Sequence, residues 1–229
     1  MHGYVDHAFI RFNHGTPRRA QGQPYQHTVT TYGARQQFSV DPDGTVLLDK
    51  EGKKFVQQVT VTLLYYARAV DSTMLVALSA LASEQAIPTE NTMKKVMLFL
   101  NYVASQDEAV MTYHASNMVL AYPSNDSYLS EPGACSCAGG NCFLSNDDTM
   151  PANNGAMLNI AQTIKAVMTS AAEEEIGAMF INAREAVPHQ MTLINMGHPQ
   201  PQQPCRQTIL QRILLSLIMC NREEKKQRA

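Results

Sequence analysis

Two stretches of this chain hold the residue types that could do chemistry. Ser124-Asn125-Asp126-Ser127-Tyr128 follows directly on the apolar run Met118-Val119-Leu120-Ala121-Tyr122, and Ser170-Ala171-Ala172-Glu173-Glu174-Glu175 stands some forty residues downstream. A carboxylate at a strand end and another on a later helix is a pattern that holds hard divalent ions, because Mg²⁺ takes carboxylate oxygen in tight octahedral geometry. Two such ions about 3.5–4 Å apart activate a water and stabilise a leaving oxygen, the chemistry of a metal-dependent nuclease. Cys135, Cys137 and Cys142 suggest zinc less well, since a Cys-x-Cys pair lacks the two-residue spacer of a zinc knuckle. His114, His189 and His198 have no sequence partner that argues for a ligand or a base, and read as surface or loop histidines.

The elements that must position these residues follow from periodicity. Val5, Ala8, Phe9 and Phe12 fall at helical spacing, so Tyr4-Val5-Asp6-His7 reads as part of an amphipathic helix rather than as a metal-bearing strand turn, which would need a second carboxylate where His7 stands. Residues 13–50 are rich in Pro, Gly, Gln and Thr, and Asp41-Pro42-Asp43-Gly44 is a turn signal, so a flexible linker is expected. From Glu51 the pattern is helical, with Phe55, Val59, Leu63, Tyr66 and Ala67 recurring at three and four. Asp71-Ser72-Thr73 offers a cap for a second helix carrying Met74, Leu75, Ala77, Leu78, Leu81 and Ala82. Pro88-Thr89-Glu90 starts a third, with Met93, Val96, Met97, Leu100 and Val103 inward.

Strands are expected at 118–122, 138–143 and 156–160, with the turn chemistry of Pro132-Gly133, Gly139-Gly140, Asp147-Asp148, Pro151 and Asn153-Asn154-Gly155 between them. A helix follows from Ala171, with Ala172, Ile176, Phe180 and Ala183 on one stripe and a capping box at Ser170-x-x-Glu173. Strands first and a helix afterwards predict an α/β or α+β layer.

The 229 residues suffice for one large or two small domains, and 45% hydrophobic residues allow a buried core. Charged residues make up 17% and the net charge is −2, which argues against a free-standing binder of nucleic acid, since phosphate neutralisation favours basic proteins. Five Cys, no apolar leader at the N-terminus and an Ile209–Cys220 run too short to span a bilayer predict a soluble intracellular protein, cytoplasmic or nuclear, with no membrane partner. Lys225-Lys226-Gln227-Arg228 reads as a solvated tail.

Several motifs, in order, resemble the end of the polyprotein of copia-type LTR retrotransposons, the thumb-like region of the reverse transcriptase followed by its ribonuclease H domain. Leu63-Leu64-Tyr65-Tyr66-Ala67-Arg68 and Pro88-Thr89-Glu90 resemble the helical part. Ser124-Asn125-Asp126-Ser127-Tyr128 resembles the family's Ser-Asp-Ala-Ser-Tyr box, and Ser170 to Glu175 its Ser-x-x-Glu-x-Glu helix. More distantly, Gly3-Tyr4-Val5 through Arg11-Phe12 resembles the helix after the palm. The resemblance covers about 51–201. Beside the N-terminal helix and flexible linker read over 1–50, it implies a helical thumb-like segment over 51–112 and a truncated ribonuclease H-like domain over 113–204. The polymerase carboxylates lie outside what is matched.

The resemblance also implies Mg²⁺ as cofactor, an RNA/DNA hybrid as partner and three metal carboxylates. The first falls on Asn125, an amide; neighbouring Asp126 is a weak surrogate, read chiefly as a turn residue, because one step along a strand reverses the face. The second falls on Glu175, which is intact. The third should lie in a Gln-Thr-Asp-Asn-Ser-Thr strand shortly after Gly197-His198-Pro199-Gln200-Pro201, where Cys205-Arg206-Gln207-Thr208-Ile209-Leu210-Gln211-Arg212 stands instead. One codon choice for those residues, TGC AGA CAG ACA ATT CTA CAG CGC, reads Gln-Thr-Asp-Asn-Ser-Thr-Ala once its first two bases are dropped, so a frame shift near Pro204 is expected to have produced 205–229. The sequence therefore predicts a degenerate retrotransposon fragment without nuclease turnover, no bound metal and no small-molecule cofactor. The alternative is a residual divalent-metal ribonuclease acting on the RNA strand of hybrids through Asp126 and Glu175.

Overall fold

A computed structural model describes residues 1–26, 44–131, 135–146, 152–166 and 168–201. The turns expected at Asp41-Pro42-Asp43, Pro132-Gly133, Asp147-Asp148 and Pro151, and the whole of 205–229, lie outside these residues. The chain is a mixed α/β protein in two compact units, one built on Met1–Thr112 and the other on Tyr113–Tyr128, Cys135–Ile160 and the described part of Ile164–Ala229.

The first unit is helical. Helix α1 (Tyr4–Phe12) buries Ala8 and Phe12, so Asp6 and His7 sit in a helical first turn and not in a strand turn. Tyr4 stacks on Tyr66 at 5.7 Å and donates to the Thr62 carbonyl at 3.0 Å. Helix α2 (Lys50–Ala69) starts where the Asp49 carboxylate accepts the Gly52 amide at 2.7 Å. Its inner stripe is Val56, Val59, Thr60, Leu63, Tyr66 and Ala67, and Phe55 is half-buried at its edge.

Asp71 caps the short 3₁₀ turn Ser72–Met74, which leads into α3 (Leu75–Glu84). Thr89 and Thr92 form a reciprocal capping box at the start of α4 (Glu90–Val103), and the Glu84 carboxylate accepts from the Thr92 hydroxyl at 2.9 Å. Met97, expected inward, is 40% exposed; the core side of α4 is completed by Phe99 and Tyr102 instead. The reason is angular. Val96, Phe99, Leu100 and Val103 already form a continuous i, i+3, i+4, i+7 face, and Met97 lies one residue outside it.

The second unit is a small sheet under one long helix. Strand β1 (Val119–Ala121) runs antiparallel to β3 (Cys135–Ser145), pairing Leu120 with Leu144. Strands β2 (Ser124–Glu131) and β4 (Ala156–Ile164) also pair with β3, which is the hub of the sheet. The turn reading of Asp126 is therefore corrected: Asn125, Asp126 and Ser127 lie inside β2, because ladder pairing with β3 outweighs their local preference for turns. The turn expected at Gly139-Gly140 is corrected too: both glycines lie inside β3, the strand that pairs with the other three.

Helix α5 (Ala171–Asn195) reverses a second expectation. The stripe Ala172, Ile176, Phe180 and Ala183 is exposed, and the buried positions are Glu174, Glu175, Ala178, Asn182 and Leu193. Close approach explains the choice. A Cβ at Gly140 of β3 would stand 1.7 Å from Asn182 Oδ1, so backbone and helix meet where the strand has no side chain. Ala178 packs there with Ala138 and Ile164, and a Phe on that face would have no room.

Candidate functional site

The first turns of α5 and the middle of β2 bring the acidic residues together. Ser170 is the N-cap of α5, its hydroxyl accepting the Glu173 amide at 3.2 Å. The return leg of the expected capping box goes one residue further back: Glu173 Oε2 accepts both the amide and the hydroxyl of Thr169 at 2.8 Å. Those bonds lower the Glu173 pKa and commit this carboxylate to the cap. Glu173 is exposed, whereas Glu174 is fully buried and Glu175 is 5% exposed.

Asn125, on the position that the resemblance assigns to a metal Asp, is exposed on β2, and Asp126 is half-buried. It is Asp126 that acts on the helix. Burial pushes Glu174 up to about 7, and the Asp126 charge adds to that rise. The same two causes, in the same order, raise Glu175, and burial raises Asp126 itself. Neither oxygen of Glu174 has a hydrogen-bond partner. A buried carboxylate in that condition favours its protonated form.

Glu174 is the residue that sequence reasoning missed. The signal lay in spacing, since Glu174, Ala178 and Asn182 recur at four on one side of α5, where Asn182 meets Gly140 and Ala178 packs with Ala138. Asn182 Nδ2 lies within bonding distance of Ser124 Oγ (2.9 Å), the Gly139 carbonyl (3.0 Å) and the Ala178 carbonyl (2.9 Å). It ties α5 to both β2 and β3 two helix turns after the acidic pair.

The other candidates stand apart from this cluster. Cys142 is buried beside Leu120 and Leu193, and burial lifts its thiol to about 12, the setting of an inert cysteine. Cys137 is half-buried, its Sγ 3.8 Å from the Ala138 carbonyl, and the side chain of Cys135 lies outside what is described. His114 is exposed, its amide bound to Asn154 Oδ1; His189 Nδ1 is 2.7 Å from the Glu185 carbonyl; His198 closes the end of α5 through its amide.

Whether these residues fit Mg²⁺ is a question of donor placement. Among the described residues no group of three or more His, Cys, Asp or Glu is positioned to hold a metal ion. The arrangement does not fit the two-ion chemistry, and no hydrolytic step is drawn through it.

The fold and this cluster define a mixed α/β protein with a buried acidic contact between a strand and a helix. Among the described residues no helix is long and apolar enough to cross a membrane. No family model matches the chain, and no curated protein or solved structure matches it either.

Proposed function

We propose that the chain is a degenerate fragment of a copia-type retrotransposon polyprotein, a thumb-like helical segment followed by a ribonuclease H-like remnant, without nuclease turnover. The reading rests on the order of motifs set out above and is supported by strands that pair around β3 and precede a helix carrying Glu175 near its start. The observation that carries the loss of turnover is Asn125, an exposed amide where the family's first carboxylate belongs. An amide supplies no negative charge to offset the dehydration of Mg²⁺. RNA/DNA hybrid is the partner class of the intact family, and this chain retains little for it.

One observation favours a second reading, a residual ribonuclease dependent on Mg²⁺ or Mn²⁺. Burial first and the Asp126 charge second raise both Glu174 and Glu175, so Asp126 acts on the helix turn that carries Glu175, which supports a shared acidic site more than the strand-face argument does. A hybrid-cleavage assay in either metal separates the two. The expected result is no cleavage above a metal-free blank; cleavage by the wild type that Glu175→Gln abolishes would establish the enzyme. The reading of 205–229 is tested in the DNA, where the ancestral frame should continue beside the present one.

A further inference from the structure

The outer face of α5 is a continuous apolar stripe. Ile176, Phe180, Val187, Met191 and Ile194 are between 49% and 68% exposed, and Ala183 is exposed among them. Steps of three and four put all six on one side of the helix. The stripe runs for about 27 Å at 1.5 Å per residue. Apolar side chains met singly on a surface need no partner, but a contiguous run of this length marks a contact face. The exposed charges of the helix are engaged within the chain: Glu173 accepts the amide and hydroxyl of Thr169, and Arg184 is paired with Glu185 at 3.3 Å. The face therefore offers apolar surface and not a charged one.

We propose that this face pairs with the same face of a second copy of the chain, the two α5 helices lying antiparallel about a two-fold axis at the level of Glu185. Spacing carries the argument. Across a two-fold axis residue i meets residue j and j meets i, so the pattern must read the same in both directions. Reversed about position 185, the six positions return to within one residue of themselves. Ile176 then comes opposite Ile194 of the second copy, Phe180 opposite Met191, and Ala183 opposite Val187. Each pairing fits in size. Ala183 leaves room for the branched Val187, and the unbranched thioether of Met191 adapts to an aromatic ring.

Area and charge agree with it. A specific interface buries at least about 1,000 Å² in total, or roughly 100 Å² from each of ten large side chains, five per copy. Phe180, at 68% exposed, has at least that much free, since an aromatic side chain carries about 150–250 Å². The contact thus stands at the lower end of stable interfaces, and a dimer in the micromolar range is expected. A net charge of −2 on each copy opposes their approach only weakly. The inference does not depend on ancestry, because burial depends on apolar area alone.

Sedimentation of the full chain over a range of concentrations tests it. The wild type should pass from monomer to dimer as concentration rises. Phe180→Asp and Met191→Asp should each weaken the dimer at least about tenfold, since one buried large side chain is worth that much and each is lost twice. Amide exchange of β3 should be unchanged in both variants. Phe180→Glu and Met191→Lys combined in one chain set opposite charges against each other in both halves of the contact, and this variant should associate more tightly than either single one. A wild type that stays monomeric up to about 500 µM would overturn the proposal. So would a dimer that both Asp variants leave intact, which would place the contact elsewhere, or a combined variant no tighter than the singles, which would break the antiparallel register.

Discussion

Helices α2 and α5 are both long, both side-chain-capped and both packed along one face, yet they bury opposite chemistry. Helix α2 turns Val56, Val59, Leu63 and Tyr66 inward. Helix α5 turns Glu174, Glu175 and Asn182 inward and leaves Ile176, Phe180 and Met191 in solvent. The first arrangement follows directly from the hydrophobic effect. The second is what remains when shape decides: the helix meets β3 at Gly140 with its small-residue side, and the acids on that side are carried in with it. The acidic contact on α5 thus costs stability, whereas the apolar face of α2 supplies it.

The largest effect that would test this contrast lies in the helical unit. Phe99 of α4 is fully buried in the same cluster as Val59, Leu63 and Leu78. Phe99→Ala should cost about 3–5 kcal/mol in urea unfolding followed by exchange of α2 amides, through lost burial and the cavity left behind. A loss under about 1 kcal/mol would mean that this core is loosely packed and that the comparison overstates its role.

The acidic contact should show the opposite sign. Glu174 titrates near 7 in the folded chain against 4.5 for the free group, chiefly through burial and secondarily through Asp126. Because its folded pKa is raised, its contribution is fully present below about pH 4.5 and is lost as pH rises through 7. The raised values of Glu175 and Asp126 act in the same direction. The second unit should therefore be less stable at pH 8.5 than at pH 5.5, with Glu174 accounting for up to about 2 kcal/mol over that range. Glu174→Gln should flatten that slope and raise the urea midpoint at pH 8.5. A wild type that is more stable at pH 8.5 would show that Glu174 is ionised and paired; a Gln variant that keeps the slope would assign the slope to Glu175 and Asp126.

The difference between the two helices also marks where sequence was legible. The α2 stripe, the Asp71 cap, the Thr89 start of α4 and the strands around 119–121, 135–145 and 156–164 were readable because period and cap chemistry agree with what the tertiary structure buries. Strand β2 was not, since Asn125-Asp126-Ser127 prefer turns and only pairing with β3 extends them. The buried face of α5 was not, since the usual rule selects Ile176 and Phe180, and the constraint that overrides it sits at Gly140, some forty residues away in sequence. Glu175 was singled out through the family resemblance and not through its own spacing; Glu174 needed knowledge of which α5 flank meets the strand.

The smallest effect asks whether the two helices differ at all where they begin. Asp49 accepts the Gly52 amide at 2.7 Å and Ser170 accepts the Glu173 amide at 3.2 Å, each a side-chain cap on the third helical residue. Asp49→Ala should cost about 1 kcal/mol and Ser170→Ala about the same or slightly less, because Glu173 retains its two bonds to Thr169. Exchange of the first-turn amides in each helix reads the two losses separately. Near-equal values would locate the whole contrast in the flanks, where packing against β3 chose the face of α5. A Ser170→Ala loss well above that of Asp49→Ala would mean instead that the start of α5 is held under tension by the buried acids behind it, and that the inversion is imposed from the cap onward.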